Sequence, residues 1–152
     1  MLGCSGLLVL TFGGCLIAGA VLFNRAKQAM SEPYNAAAAE QELGDVPRYP
    51  GATQNINLSR ALRMAAGTHK TAFRADKVIE VAYNSPDGFD KVGEWYETRL
   101  KQAGYSAGKD HALYHLYVKG SDVIGIRDLI LKRSGNCFVL MRITGAKNPD
   151  GG

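Results

Sequence analysis

Residues 85–104 read SPDGFDKVGEWYETRLKQAG, and the spacing predicts an amphipathic helix from which the rest of the fold follows. Ser85 is a good N-cap, Pro86 suits the first helical position, and Asp87 favours the positive end of the helix dipole. Phe89, Val92, Tyr96, Leu100 and Ala103 recur at three- and four-residue intervals, with Trp95 on the flank. Gly104 stands where a left-handed residue commonly closes a helix. Asp90, Lys91, Glu94, Lys101 and Gln102 form the opposite, solvated side.

A helix apolar along one stripe needs a floor, and the flanking segments read as strands that supply it. Residues 77–83 alternate, putting Ile79, Val81 and Tyr83 on one face. Residues 113–118 align Tyr114, Leu116 and Val118. A turn at Gly120-Ser121-Asp122 leads into 123–133, and one at Ser134-Gly135-Asn136 leads into 137–144. In that last strand Cys137, Val139, Met141 and Ile143 share a face. Within 123–133, Ile124 and Ile126 have the opposite parity to Leu129 and Leu131, which predicts a bulge near Arg127-Asp128. The expected fold class is α+β: a β-α-β-β-β domain with a mainly antiparallel sheet and one packed helix.

Ahead of this domain the first charged residue is Arg25, and residues 2–23 form an uninterrupted run of apolar and small residues. A helix of that length measures roughly 33 Å, enough to cross a hydrocarbon core of about 30 Å. No positive n-region precedes the run, and Cys15 lies too far inside it for a lipoprotein site, so an uncleaved anchor is expected. The domain limits are then a transmembrane anchor at 1–24, a linker at 25–52, the α+β domain at 53–146 and a flexible tail at 147–152. The linker holds an Ala-rich short helix and a junction stiffened by Pro47 and Pro50. Residues 55–66 suit either a short helix or extended chain. Within the anchor, Thr11, Gly14, Cys15, Ala18 and Gly19 form a small-residue face for helix–helix contact.

The segment Pro47-x-Tyr49-Pro50-Gly51-Ala52, the helix ending in Ala103-Gly104-Tyr105 and the β-meander after it resemble a loosely defined group of small bacterial membrane-anchored or exported domains of uncharacterised function. The resemblance covers roughly 47–144 and implies no catalytic residues. It implies a domain outside the cytoplasm, whereas Arg25 and Lys27 just after the span place the domain inside by the positive-inside rule.

The chain carries a formal charge of +4, with Lys and Arg scattered among Asp and Glu, which gives no basic stripe for nucleic acid. His111 and His115 are four apart, but four strand residues span about 13 Å, too far to share an ion. No metal site and no cofactor are expected. Asp122 is read as a turn residue, Asp128 as part of the bulge, and Cys137 as core. No Walker loop, dinucleotide-binding glycine pattern, Cys-x-x-Cys or nucleophile elbow is present, so no catalytic residues are assigned and an enzyme is not expected. Tyr49, Trp95 and Tyr105 are candidates for a protein-contact patch. The expected function is a non-catalytic accessory or structural subunit of a membrane complex, single-pass, partnered through its transmembrane helix. The alternative is a membrane-anchored sensor or a small-ligand or peptide-binding module.

Overall fold

The structure is a computed structural model that describes residues 33–63, 66–129 and 136–149, and its fold belongs to one unit, Tyr34–Gly152. Four helices and six strands lie in the described residues: α1 Ala36–Leu43, β1 Thr53–Gln54, α2 Ile56–Leu62, α3 Ala66–Ala72, β2 Lys77–Asn84, α4 Phe89–Gln102, β3 Ser106–Ala107, β4 His115–Lys119, β5 Asp122–Asp128 and β6 Cys137–Thr144. The strands form one antiparallel sheet in the order β1-β2-β6-β5-β4-β3.

The sheet is buried on both faces. Val81, Tyr83, Ile124, Ile126, Phe138 and Leu140 pack with Val92, Tyr96 and Leu100 of α4. On the other side Ala82, Val123, Val139, Met141 and Ile143 pack with Phe73, and Leu58, Leu62 and Ala72 of the α2–α3 pair close over them. Each large side chain so removed from water contributes about 1.5–3 kcal/mol. Two covered faces also settle the parity conflict in β5. The β5–β6 register runs unbroken from Val123↔Ile143 to Asp128↔Phe138, so the expected bulge is absent there. Ile124 and Ile126 face α4, while Leu129 packs on the other side.

The helix α4 begins later than the sequence suggests. Its N-cap is Gly88 rather than Ser85, whose hydroxyl instead accepts from Asp87 N at 3.1 Å in the preceding turn. The C-terminus follows the expected chemistry. Gly104 has φ +88°, its N–H donates to Lys101 O, and Tyr105 N–H donates to Leu100 O, a Schellman closure. At the sheet edge, β1 is only two residues long, and α2 covers the rest. Asn55 caps α2 by accepting from Leu58 N, while Asn55 N–H donates to Ala82 O. Buried Ser59 Oγ accepts from Ala82 N at 2.9 Å, so both outward backbone groups of Ala82 on the edge of β2 are satisfied.

Several expectations require correction. Among the described residues no helix is long and apolar enough to cross a membrane. The longest, α4, has 14 residues, about 21 Å of helix, and is charged along one side. The expected anchor at 1–24, with its contact face of Thr11, Gly14, Cys15, Ala18 and Gly19, lies outside the described residues. The fold with one transmembrane helix and one packed helix is therefore replaced by a six-stranded sheet covered by helices on both faces. The single-pass localisation, the membrane partner, the accessory-subunit role and the membrane-anchored alternative lose their structural footing with it. The strands carry apolar residues on both faces. The chain's own α2 and α3 cover that second face.

Candidate functional site

A cleft of about 300 Å³ opens between α4 and the β3–β4 segment. Its helix wall is Phe89, Asp90, Gly93 and Glu97, residues that share one side of α4 at spacings near whole turns. Its opposite wall comes from Ala107, Gly108, Asp110, His115, Leu116 and Tyr117. Two glycines make the gap. Gly93 sits inside the helix with nothing within 4 Å of where a Cβ would stand, so packing gives no reason for it. Gly108 is different: a Cβ there would meet Val118 Cγ2 at 2.8 Å. The chain runs tight against β4 at that point, with Gly108 N–H donating to Leu116 O, and then leaves the sheet.

The turn that brings the chain back is strained. His111 and Tyr114 exchange backbone hydrogen bonds across Ala112 and Leu113, whose φ values are 47° and 72°. Both central residues are left-handed, as in a type I′ hairpin, yet neither is Gly or Asn. The turn separates the histidines. His115 lies on the α4 side, stacked on Phe89 with ring centroids 6.0 Å apart and Nδ1 3.2 Å from Asp110 Oδ2. His111 contacts Phe73 and His69 on the α2–α3 side. They share no ion, and among the described residues no three His, Cys, Asp or Glu side chains are grouped to hold a metal.

Inside the cleft every charged wall residue is acidic. Asp90 carries no ion pair or hydrogen bond among the described residues. Glu97 accepts from Lys101 at 2.6 Å, which holds its carboxyl below the usual range. Tyr117 is only 8% exposed, and its hydroxyl has no hydrogen-bond partner among the described residues. Burial first, and then the nearby Glu97 and Asp110 carboxylates, raise its pKa, which keeps the hydroxyl a neutral donor.

A second polar group lies on the far side of the sheet. Glu80 of β2 is 6% exposed and accepts a short hydrogen bond from Tyr114 Oη. His69 Nε2 stands 3.7 Å from the same carboxylate, and the Arg127 guanidinium lies 4.7 Å over the Tyr114 ring. Gly125 makes this possible. A Cβ there would meet Met141 Cε at 2.6 Å and Tyr114 Cδ1 at 3.0 Å, so only glycine lets the Tyr114 ring lie across the sheet to reach Glu80. Burial lowers the His69 pKa despite Glu80, and burial followed by Glu80 raises that of Tyr114. This group is enclosed and packed, with Glu80 Oε2 and His69 Nδ1 buried without partners.

The proposed contact residues fall elsewhere. Tyr49 and Tyr105 are buried, so they offer no contact patch. Tyr49 sits edge-on to Trp95 and Phe138 and donates to Asp87 Oδ2, while Tyr105 donates to Asp122 Oδ2 at 2.5 Å. Trp95 is half-buried on the flank of α4, beneath Arg99. Asp122 is more than a turn residue, since Arg142 grips it through Nε and Nη2 at 3.1 and 2.9 Å. Cys137 is buried, its thiol pKa raised by burial and then by Asp128. Sequence reasoning missed Gly93, Glu80 and the turn at Ala112-Leu113. The signal available for the cleft was Gly93, a glycine inside an otherwise strong helix.

No family model matches the chain, and no curated protein or solved structure matches it. The resemblance to membrane-anchored or exported bacterial domains is accordingly corrected, and its main motif has a local explanation. Ala52 N–H donates to Tyr49 O across Pro50 and a Gly51 with φ +75°, the residue chemistry of a type II turn wherever one occurs.

Proposed function

We propose that this domain recognises a small ligand in the cleft between α4 and the β3–β4 segment and performs no covalent chemistry there. The observation that carries the reading is the Tyr117 hydroxyl, held on an otherwise buried residue at the cleft wall with no protein partner. That hydroxyl keeps access to solvent through the cleft, and a ligand seated there takes the place of water as its partner. The volume lies at the lower end of the range for small-molecule sites. The wall residues include no Ser, Thr or Cys nucleophile and no Lys or Arg to stabilise developing negative charge, which favours binding over catalysis. The reading rests on the cleft alone and draws on no membrane attachment.

A direct test is a fragment screen on the ¹⁵N-labelled full chain, run beside Gly93→Leu. The substituted side chain projects into open space, so it fills the cleft and leaves the fold intact. Fragments are expected to shift the amides of Gly93, Gly108, Leu116 and Tyr117 in the wild type and to lose that effect in the variant. Absence of any hit at these amides, or identical shifts in the filled variant, overturns the proposal.

A further inference from the structure

Resting on the cleft as a ligand site, we infer that its ligand is an organic cation: an ammonium or guanidinium group carried on an apolar body of about one ring. Three observations converge. First, Asp90 and Glu97 on the helix wall and Asp110 on the loop wall give carboxylates on both sides of the opening. Lys101 meets Glu97 and His115 meets Asp110, which leaves Asp90 without a partner among the described residues, and no Lys or Arg lines the cleft. This local acidity stands against a chain of net charge +4. Second, Phe89, His115 and Tyr117 supply ring surface on the same walls, with Phe89 and His115 stacked on each other. Ring faces carry negative potential and attract cations, most strongly where water is excluded. Third, the Tyr117 hydroxyl, on a residue more than nine-tenths buried, is unpartnered at the same wall.

The alternatives fit less well. An anionic ligand meets three carboxylates and no Lys or Arg on the cleft wall. A metal ion held mainly by the protein wants several ligating side chains converging on one point, and the described residues contain no group of three. A neutral apolar ligand leaves Asp90, which has no partner among the described residues, facing a ligand that answers none of its charge. An organic cation uses all three features: the rings contact its body, the Tyr117 hydroxyl accepts from it, and Asp90 compensates its charge.

The test uses the full chain and three probes of nearly equal shape: phenethylamine, which is protonated at pH 7, neutral 2-phenylethanol and anionic phenylacetate. Titrations are followed at the Gly93, Gly108 and Tyr117 amides. Phenethylamine is expected to bind about tenfold more tightly than the alcohol, with no detectable phenylacetate binding. Asp90→Asn, at an exposed position, is expected to weaken phenethylamine about three- to fivefold and leave the alcohol unchanged. Raising ionic strength from 0.02 to 0.5 M is expected to act in the same direction (probe conditions of about these values suffice). If the alcohol or phenylacetate binds in the cleft as tightly as the amine, or Asp90→Asn changes nothing, the cation assignment fails while the ligand site stands. If neither these probes nor the wider fragment set moves the cleft amides, the underlying reading fails as well.

Discussion

Leu113 and Gly93 each sit where the other's residue type is ordinarily found. Leu113 holds a φ of 72° and is 82% exposed, so it has left-handed strain of about 1–2 kcal/mol and little burial to offset it. Gly93 lies in a helix with open space beside it, and glycine there is roughly 1 kcal/mol less favourable than alanine. Both positions are improvable, and the two improvements differ in their effect on binding. Leu113→Gly is expected to stabilise the fold by about 0.5–1 kcal/mol, after the entropy of a freer unfolded chain is subtracted, and to leave the cleft unchanged. Gly93→Ala is expected to stabilise by a similar amount, about 0.5–1 kcal/mol, and to weaken phenethylamine binding because the new methyl enters the cleft. Urea unfolding beside the amide titration separates the two cases. If Gly93→Ala is neutral in stability, the open space around it is not what the geometry describes. These residues also mark what the sequence conceals. A type I′ turn is usually announced by Asn-Gly or Asp-Gly, and Ala112-Leu113 instead continues the apolar alternation of 113–118, which reads as strand.

At the scale of elements, the helix was legible because local signals and burial agree: Val92, Tyr96 and Leu100 are the buried residues of α4, and Gly104 closes it. The edges of β2 and β6 were legible for the same reason. What could not be read was the second covered face. Glu80 falls at the polar parity of β2 and reads as solvent-facing, yet α2 and α3 bury it against Tyr114. Residues 55–66 gave no clear period, so the covering layer was invisible, and with it the reason Gly125 lacks a side chain. Gly125→Ala is expected to cost about 2 kcal/mol, since the added methyl displaces the Tyr114 ring or Met141. Tyr114→Phe is expected to cost about 2–3 kcal/mol, because Glu80 then keeps a buried carboxylate without its hydroxyl donor. If the two losses arise from the same contact, the double variant falls well short of their sum. Thermal or urea unfolding of the four proteins closes that cycle, and full additivity rejects the linkage. Docking of α1 is a separate matter, carried by Arg142. Its guanidinium joins Asp122 of β5 to Leu43 O at 2.6 Å and Asp45 Oδ1 at 2.8 Å.

Across the whole molecule the sheet separates two polar groups that the turn at 111–114 connects: the acidic cleft on the α4 side and the Glu80 group on the other. Only the second is enclosed enough to couple protonation strongly to folding. His69 is 8% exposed, on α3, facing Glu80 from β2, Arg127 from β5, and His111 and Tyr114 at the turn. Burial disfavours its imidazolium most, His111 and Arg127 add to that effect, and Glu80 opposes it without overcoming it. The folded pKa therefore lies below the unfolded value of about 6.5. Above that value His69 is neutral in both states and the stability is fully present. As pH falls below about 6.5, the unfolded chain binds a proton that the folded chain resists, and stability is lost until the folded pKa is passed. The slope from this one group reaches at most about 1.4 kcal/mol per pH unit. His69→Gln keeps a polar side chain of comparable reach and removes the titration, so its stability profile between pH 7.5 and 5 is expected to be flatter than that of the wild type. Urea midpoints at several pH values decide the point. Parallel profiles mean that the acid sensitivity of the fold has another origin, and a wild-type stability that rises on acidification means that Glu80 holds the proton on His69 after all.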